Sequence, residues 1–316
     1  MRRNKQENNV VQKCSTPVKQ KRAISPIYIM LAVLVFLAIA LVLALVLPDN
    51  DPAPTPSATT TAHLLTFTSN GDGTCYVSDI GTCTDTHIVI PSLSPDGDTV
   101  TGIGDYAFQN CDSLTSITIP EGVTFIGYDA FEYCTSLTSV TIPDSVTIIG
   151  SYAFSGCSSL TSITIPDSVT TIGMAAFSRC TALTKITFAE GSQLTSIGGS
   201  AFSGCSSLTS ITIPEGVTFI GNYAFYDCTS LASVTFAEGS QLPTIGWRAF
   251  SGCRSLTEIV IPDSVTTIGD WAFSGCTSLT DVYYTGSEAE WQSISIGSYN
   301  ALLISATIHY NYVPAE

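Results

Sequence analysis

Histidine is scarce in this chain: only His63, His87 and His309 occur, and charged residues make up 12% of the composition. A Ser-His-Asp or Cys-His catalytic arrangement therefore has almost no material to draw on. No glycine-rich phosphate cradle is present. Asn70-Gly71-Asp72-Gly73 and Asp96-Gly97-Asp98 lack the alternating acids and closing glutamate of a calcium loop, so both read as turns. Most cysteines stand 23 or 25 residues apart, which is not the close pairing of a zinc site. Basic residues are also few. Beyond residue 47, Arg179, Lys185, Arg248 and Arg254 face 25 acidic residues, a net charge of −21. Nucleic acid and anionic lipid both need a cationic footprint, so neither is expected as a partner of this region. The repeats carry no Asn-x-Ser/Thr glycosylation acceptor. These absences exclude the usual catalytic and metal-binding sets, and no enzyme activity, metal or cofactor is expected.

What the chain has in abundance is repetition. A block of 23 residues recurs eight times between Val100 and Asp281, with the pattern V-T-x-I-G-x-x-A-F-x-x-C-x-x-L-x-x-I/V-x-I/F. Phe108, Phe131, Phe154, Phe177, Phe202, Phe225, Phe250 and Phe273 mark its register, each followed three residues later by a cysteine. Self-similarity at this period implies a solenoid, in which each unit buries its apolar face against its neighbours.

The unit Val146 to Ser168 shows how a coil should form. Ile163 and Ile165 alternate with outward Ser162 and Thr164, a period of two that predicts a strand. Pro166 ends it, because proline cannot donate to the next ladder bond. Val146 to Ile149 is a second short extended piece, closed by Gly150. Ala153, Phe154 and Cys157 fall at i, i+1 and i+4, one face of a single helical turn. The fold class expected is thus an α/β solenoid of eight units, each with two short strands and one helical turn. In two units of 25 residues the Pro-Asp-Ser corner becomes Ala189 to Gln193 and Ala237 to Gln241, which should bulge from one edge. The raw ends of such a stack need caps. Residues 63–99 and 282–316 read as β-rich N- and C-terminal caps, the latter with a helical turn near Glu288 to Trp291 and a last strand at Ala306 to Tyr310.

The strings of the form I-G-x-x-A-F-x-x-C-x-x-L-x-x-I-x-I-P, such as Ile149 to Pro166, resemble the BspA-type leucine-rich repeat over residues 100–281. That resemblance implies a branch of the leucine-rich repeat superfamily displayed on cell surfaces and implicated in adhesion. It further implies that the strand face is the concave, ligand-facing one.

Ile27 to Leu47 is a run of 21 uncharged residues, about 31 Å long at ~1.5 Å per residue as a helix and matched to a bilayer core of ~30 Å. Seven of the eleven basic residues precede it. The positive-inside bias then predicts a cytoplasmic tail (1–26), a transmembrane helix (27–47), a Pro/Ser/Thr-rich linker (48–62) and extracellular repeats in a single-pass membrane protein. A cleaved secretory signal is the alternative, and either would export the repeats.

Parallel stacking spaces equivalent side chains ~4.7–4.9 Å apart, too far for disulfide geometry, so the repeat cysteines should be a column of buried free thiols. Whether Cys75 and Cys83 form a bridge in the cap stays open. Two stripes are candidate binding surfaces. One is the outward column Thr118, Thr141, Thr164, Thr187, Thr212 and Thr235; threonine is also a good solvated strand former. The other holds Tyr106, Tyr128, Tyr152, Tyr223, Trp247 and Trp271, which are either packing or contact residues. Arg248 and Tyr283 make the C-terminal third the least uniform region. The expected function is adhesion or recognition through an extracellular protein or glycan ligand. A structural coat or spacer is the alternative, and ice binding through the threonine columns a remote third.

Overall fold

The computed structural model describes residues 63–313; the expected basic tail, apolar segment and linker lie outside the described residues. The chain winds into a β-solenoid with two strand columns and one column of turns. The first column starts with an antiparallel hairpin, β1 (Thr66–Ser69) and β2 (Thr74–Asp79). It continues as parallel strands β4 (Thr99–Ile103), β6 (Phe125–Ile126), β8 (Ile148–Ile149), β10 (Thr171–Ile172), β12 (Ser196–Ile197), β14 (Phe219–Ile220), β16 (Thr244–Ile245), β18 (Thr267–Ile268) and β20 (Ser295–Ile296). The second column holds β3 (His87–Val89), β5 (Ser116–Thr118), β7 (Ser139–Thr141), β9 (Ser162–Ile165), β11 (Lys185–Phe188), β13 (Ser210–Ile213), β15 (Ser233–Phe236), β17 (Glu258–Ile261), β19 (Asp281–Tyr284) and β21 (Thr307–His309).

Each short strand of the first column runs into the glycine of the I-G pair, and packing explains the choice. A Cβ on Gly150 would stand 2.6 Å from the Gly127 carbonyl oxygen, and one on Gly173 would stand 2.5 Å from the Ser151 nitrogen. Successive coils touch backbone to backbone there, leaving no room for a side chain.

The expected helical turn is absent, so the α/β assignment is corrected to an all-strand coil. In the A-F-x-x-C segment, left-handed residues such as Tyr152 (φ 59) and Gly156 (φ 74) interrupt any helical run. Bonds from the Ser155 amide to Tyr152 O (2.9 Å) and from the Cys157 amide to Phe154 O (3.2 Å) close three-residue-separated turns. The remaining amides reach forward: Tyr152, Phe154 and Gly156 donate to Met174, Ala176 and Ser178 of the next coil, each at 2.7 Å. On the strand columns the amides reach backward instead, as Gly173 does to Ile149 O at 2.8 Å. Consecutive turns aim Ala153, Phe154 and Cys157 inward as well as a helix would, so their spacing could not separate the two. The helices among the described residues are α1 (Glu288–Ser293), started by a capping box between Ser287 and Glu290, and α2 (Ala301–Ser305).

The expectation of a single-pass membrane protein is also corrected. Among the described residues no helix is long and apolar enough to cross a membrane, and the segment 27–47 on which the expectation rested lies outside them.

The core is one apolar column. All eight register phenylalanines are fully buried, and neighbouring rings stack 5.1–5.5 Å apart with interplanar angles of 2–19°. Stacked rings of this kind add to the burial of their area.

Candidate functional site

The repeat cysteines are free thiols, and they do more than fill space. Each Sγ from Cys134 to Cys276 donates to the carbonyl oxygen of the phenylalanine one coil earlier, at 3.1–3.2 Å. Burial holds them protonated, pushing Cys157, Cys205 and Cys276 up to about 12. Such thiols are poor nucleophiles. Cys111, only half-buried at the start of the column, is instead lowered by a hydrogen bond with Cys134. Cys75 and Cys83, the pair left open, are unbridged.

Beside the candidate column runs a second one, Thr115, Thr138, Thr161, Thr184 and Thr209, and the two differ in what they do. Thr138 and Thr184 donate through Oγ1 to the carbonyls of Thr115 and Thr161 (3.1 and 3.0 Å), so this column ties coil to coil. Thr118, Thr141, Thr164 and Thr212 are exposed on the strand face, while Thr187 and Thr235 are half-buried. Of these, Thr212 and Thr235 share a 2.9 Å hydrogen bond.

That strand face is not continuous. Its ladder divides into β3-β5-β7, β9-β11 and β13-β15-β17-β19-β21. At the second division, β11 and β13 are not hydrogen-bonded, and a groove of about 770 Å³ opens over Lys185 to Ala189, Ser210 to Thr212, Pro214 to Gly216, Ala237 and Gln241. The lengthened corners Ala189 to Gln193 and Ala237 to Gln241 rise on either side of the short corner at Pro214, which produces the notch. Phe188 is half-buried here, whereas its register mate Ile165 is fully buried. The lengthened corners were legible in the sequence. The interrupted ladder was not, because no residue marks it.

The aromatic stripe forms two clusters. Tyr106, Tyr128 and Tyr152 meet edge to face at centroid distances of 5.5 and 5.6 Å. The next two coils present Met174-Ala175 and Gly199-Ser200 at the same place. The second cluster then runs Tyr223, Trp247, Trp271 and Tyr299, with Tyr223–Trp247 at 4.8 Å and Trp271–Tyr299 at 4.1 Å. Between these rings lies Arg248, its guanidinium carbon 5.2 Å from the Trp247 centroid, 4.5 Å from Trp271 and 5.9 Å from Tyr223. Despite packing on one another, Tyr106 (53% exposed), Tyr128 (40%), Trp247 (39%) and Tyr299 (68%) remain open to solvent, while Tyr152, Tyr223 and Trp271 are half-buried. Tyr299 and Tyr226, which stands 5.5 Å from Tyr223, also belong to the cluster. Tyr299 continues the stripe through Ile296-Gly297-Ser298-Tyr299, an I-G string in the C-terminal cap paired with Ile268-Gly269, whereas Tyr226 lies outside the stripe position. Tyr283 lies apart, stacked on His309 at 4.7 Å, and His309 Nε2 meets Asp281 Oδ1 at 2.7 Å. That contact holds the Asp281 carboxyl below its usual range.

Beside the first cluster, Asp129 occupies a left-handed position (φ 53) with one carboxyl oxygen buried and unpartnered. Burial, and then the charges of Glu132 and Asp105, push it up to about 6. Among the described residues no group of three or more His, Cys, Asp and Glu side chains is placed to hold a metal ion.

Residues 101–219 and 195–305 match the family model of the BspA type leucine-rich repeat region, in six copies. The chain belongs to this family. Solved leucine-rich repeat structures resemble it. A leucine-rich repeat protein from Bacteroides ovatus is 31% identical, with 79% of this chain and 70% of that chain covered and a TM-score of 0.55. The leucine-rich repeat protein of T. pallidum is 29% identical, covering 69% of this chain and 89% of its own, at a TM-score of 0.51. No curated protein matches the chain. Membership in the BspA-type family accounts for the strand-and-turn coil.

Proposed function

We propose that this protein is a non-enzymatic recognition rod that binds a protein or glycan ligand and so serves adhesion. The observation that carries the reading is the aromatic edge. Large rings outside the core pack against each other along this edge, several of them exposed to water, and Tyr and Trp dominate binding hot spots. Membership in a family of repeat proteins built around interaction surfaces agrees with it. The test is to immobilise the purified chain and probe it with a panel of matrix proteins and glycans. Saturable capture of at least one member is expected, weakened at least tenfold by combined Tyr106→Ala and Trp247→Ala substitution. Capture of none, or capture indifferent to both rings, contradicts the reading.

A further inference from the structure

The geometry points to a subsite for a carboxylate-bearing pyranose at Trp247, Arg248, Trp271 and Tyr299, which deepens the recognition reading above and rests on it. Four cations stand beyond residue 47 among 25 acids, yet Arg248 has no carboxylate partner, and the salt bridge found among the described residues is His309–Asp281. Aromatic faces hold it instead, with the guanidinium carbon 4.5 Å from Trp271 and 5.2 Å from Trp247. Its Nε is buried with no hydrogen-bond partner, while the terminal nitrogens are not among the buried, unpartnered atoms. The half-buried cation is thus oriented by stacking and has no ion-pair partner among the described residues.

No nearby acid forms an ion pair with it. Asp270, one residue before Trp271, is committed to the Ser298 amide at 2.7 Å. A planar guanidinium matches a carboxylate through two parallel hydrogen bonds. The rings alongside offer flat apolar faces of the kind that the C–H face of a pyranose covers. A glycan with carboxylated sugars supplies both at the spacing of one ring and its substituent, whereas an acidic peptide supplies the charge without the flat face.

The test uses oligogalacturonate, its carboxyl-reduced neutral counterpart, and poly-glutamate, titrated calorimetrically into the purified chain. Oligogalacturonate should bind, and reduction of its carboxyls should weaken binding at least tenfold. Arg248→Gln should remove that preference. Trp247→Ala and Tyr299→Ala, both at exposed rings, should weaken the acidic glycan without lowering the melting temperature. Equal affinity for the reduced glycan, binding of poly-glutamate as tight as that of the glycan, or affinity unmoved by Arg248→Gln and Trp247→Ala overturns the subsite. If oligogalacturonate fails to bind while another ligand is captured through the aromatic edge, this inference falls and the broader reading stands.

Discussion

At the scale of single residues, Phe154, Thr164, Gly150 and Asp129 each make a separate prediction. Phe154 is fully buried between two stacked rings, so Phe154→Ala should cost about 3–5 kcal/mol in urea unfolding. Thr164→Ala on the exposed strand face should stay within about 0.5 kcal/mol. Equal midpoints for the two would reverse the inward and outward assignments. Gly150→Ala removes no contact but places a Cβ 2.6 Å from a backbone oxygen, and overpacking of that order costs about 1–3 kcal/mol. Asp129 makes a pH prediction. Its folded value near 6 lies above the ordinary 3.8, so the protonated form is the one folding favours. Its contribution is therefore greatest below 3.8 and is lost as pH rises through 6. Asp129→Asn, which tolerates the left-handed backbone, should raise the melting temperature at pH 7.5 and give progressively less gain toward pH 4. A gain that does not change with pH would assign the effect to packing.

Among elements, the recurrence of Phe and Cys made the solenoid and its inward column readable from the letters alone. The helical turn was misread because Ala153, Phe154 and Cys157 sit inward in either geometry. The deciding information, a left-handed residue at Tyr152 with its amide turned toward the next coil, has no preferred residue type: tyrosine, aspartate, alanine, serine, arginine and tryptophan all occupy that position. The cysteine column was read as small and apolar, which explains its burial but not its hydrogen bonds to the preceding phenylalanine carbonyls. Of the candidate site, the aromatic stripe was visible as a column of letters. Its break into two clusters falls where Met174-Ala175 and Gly199-Ser200 replace the aromatics, but the seating of Arg248 between two tryptophans depends on side-chain directions that spacing alone does not encode. The thiols give this scale its own prediction. Their pushed-up values mean that stability is fully present below pH 9 and declines as pH climbs toward 12. Replacing Cys157 and Cys205 together with alanine should flatten that decline, as followed by the urea midpoint between pH 8 and 11.

For the described residues as a whole, backbone bonding runs from coil to coil without a break on the first strand column (backward) and on the turn column (forward), while the second strand column is interrupted twice. This leaves the exterior free for recognition without loss of the frame. The chain beyond residue 47 carries a net −21, nearly all of it on this stack, and self-repulsion of that order should be relieved by salt, raising the urea midpoint between 20 and 500 mM sodium chloride. The central claim is that successive coils nest with one thiol column sealed inside. It is tested most directly by a pulse of iodoacetamide on the native chain, with modification read peptide by peptide in a mass spectrometer. The account predicts that Cys111 is alkylated within the pulse, while the seven thiols from Cys134 to Cys276 react only after denaturation. Native-state alkylation of those seven at the rate of the unfolded chain would contradict it.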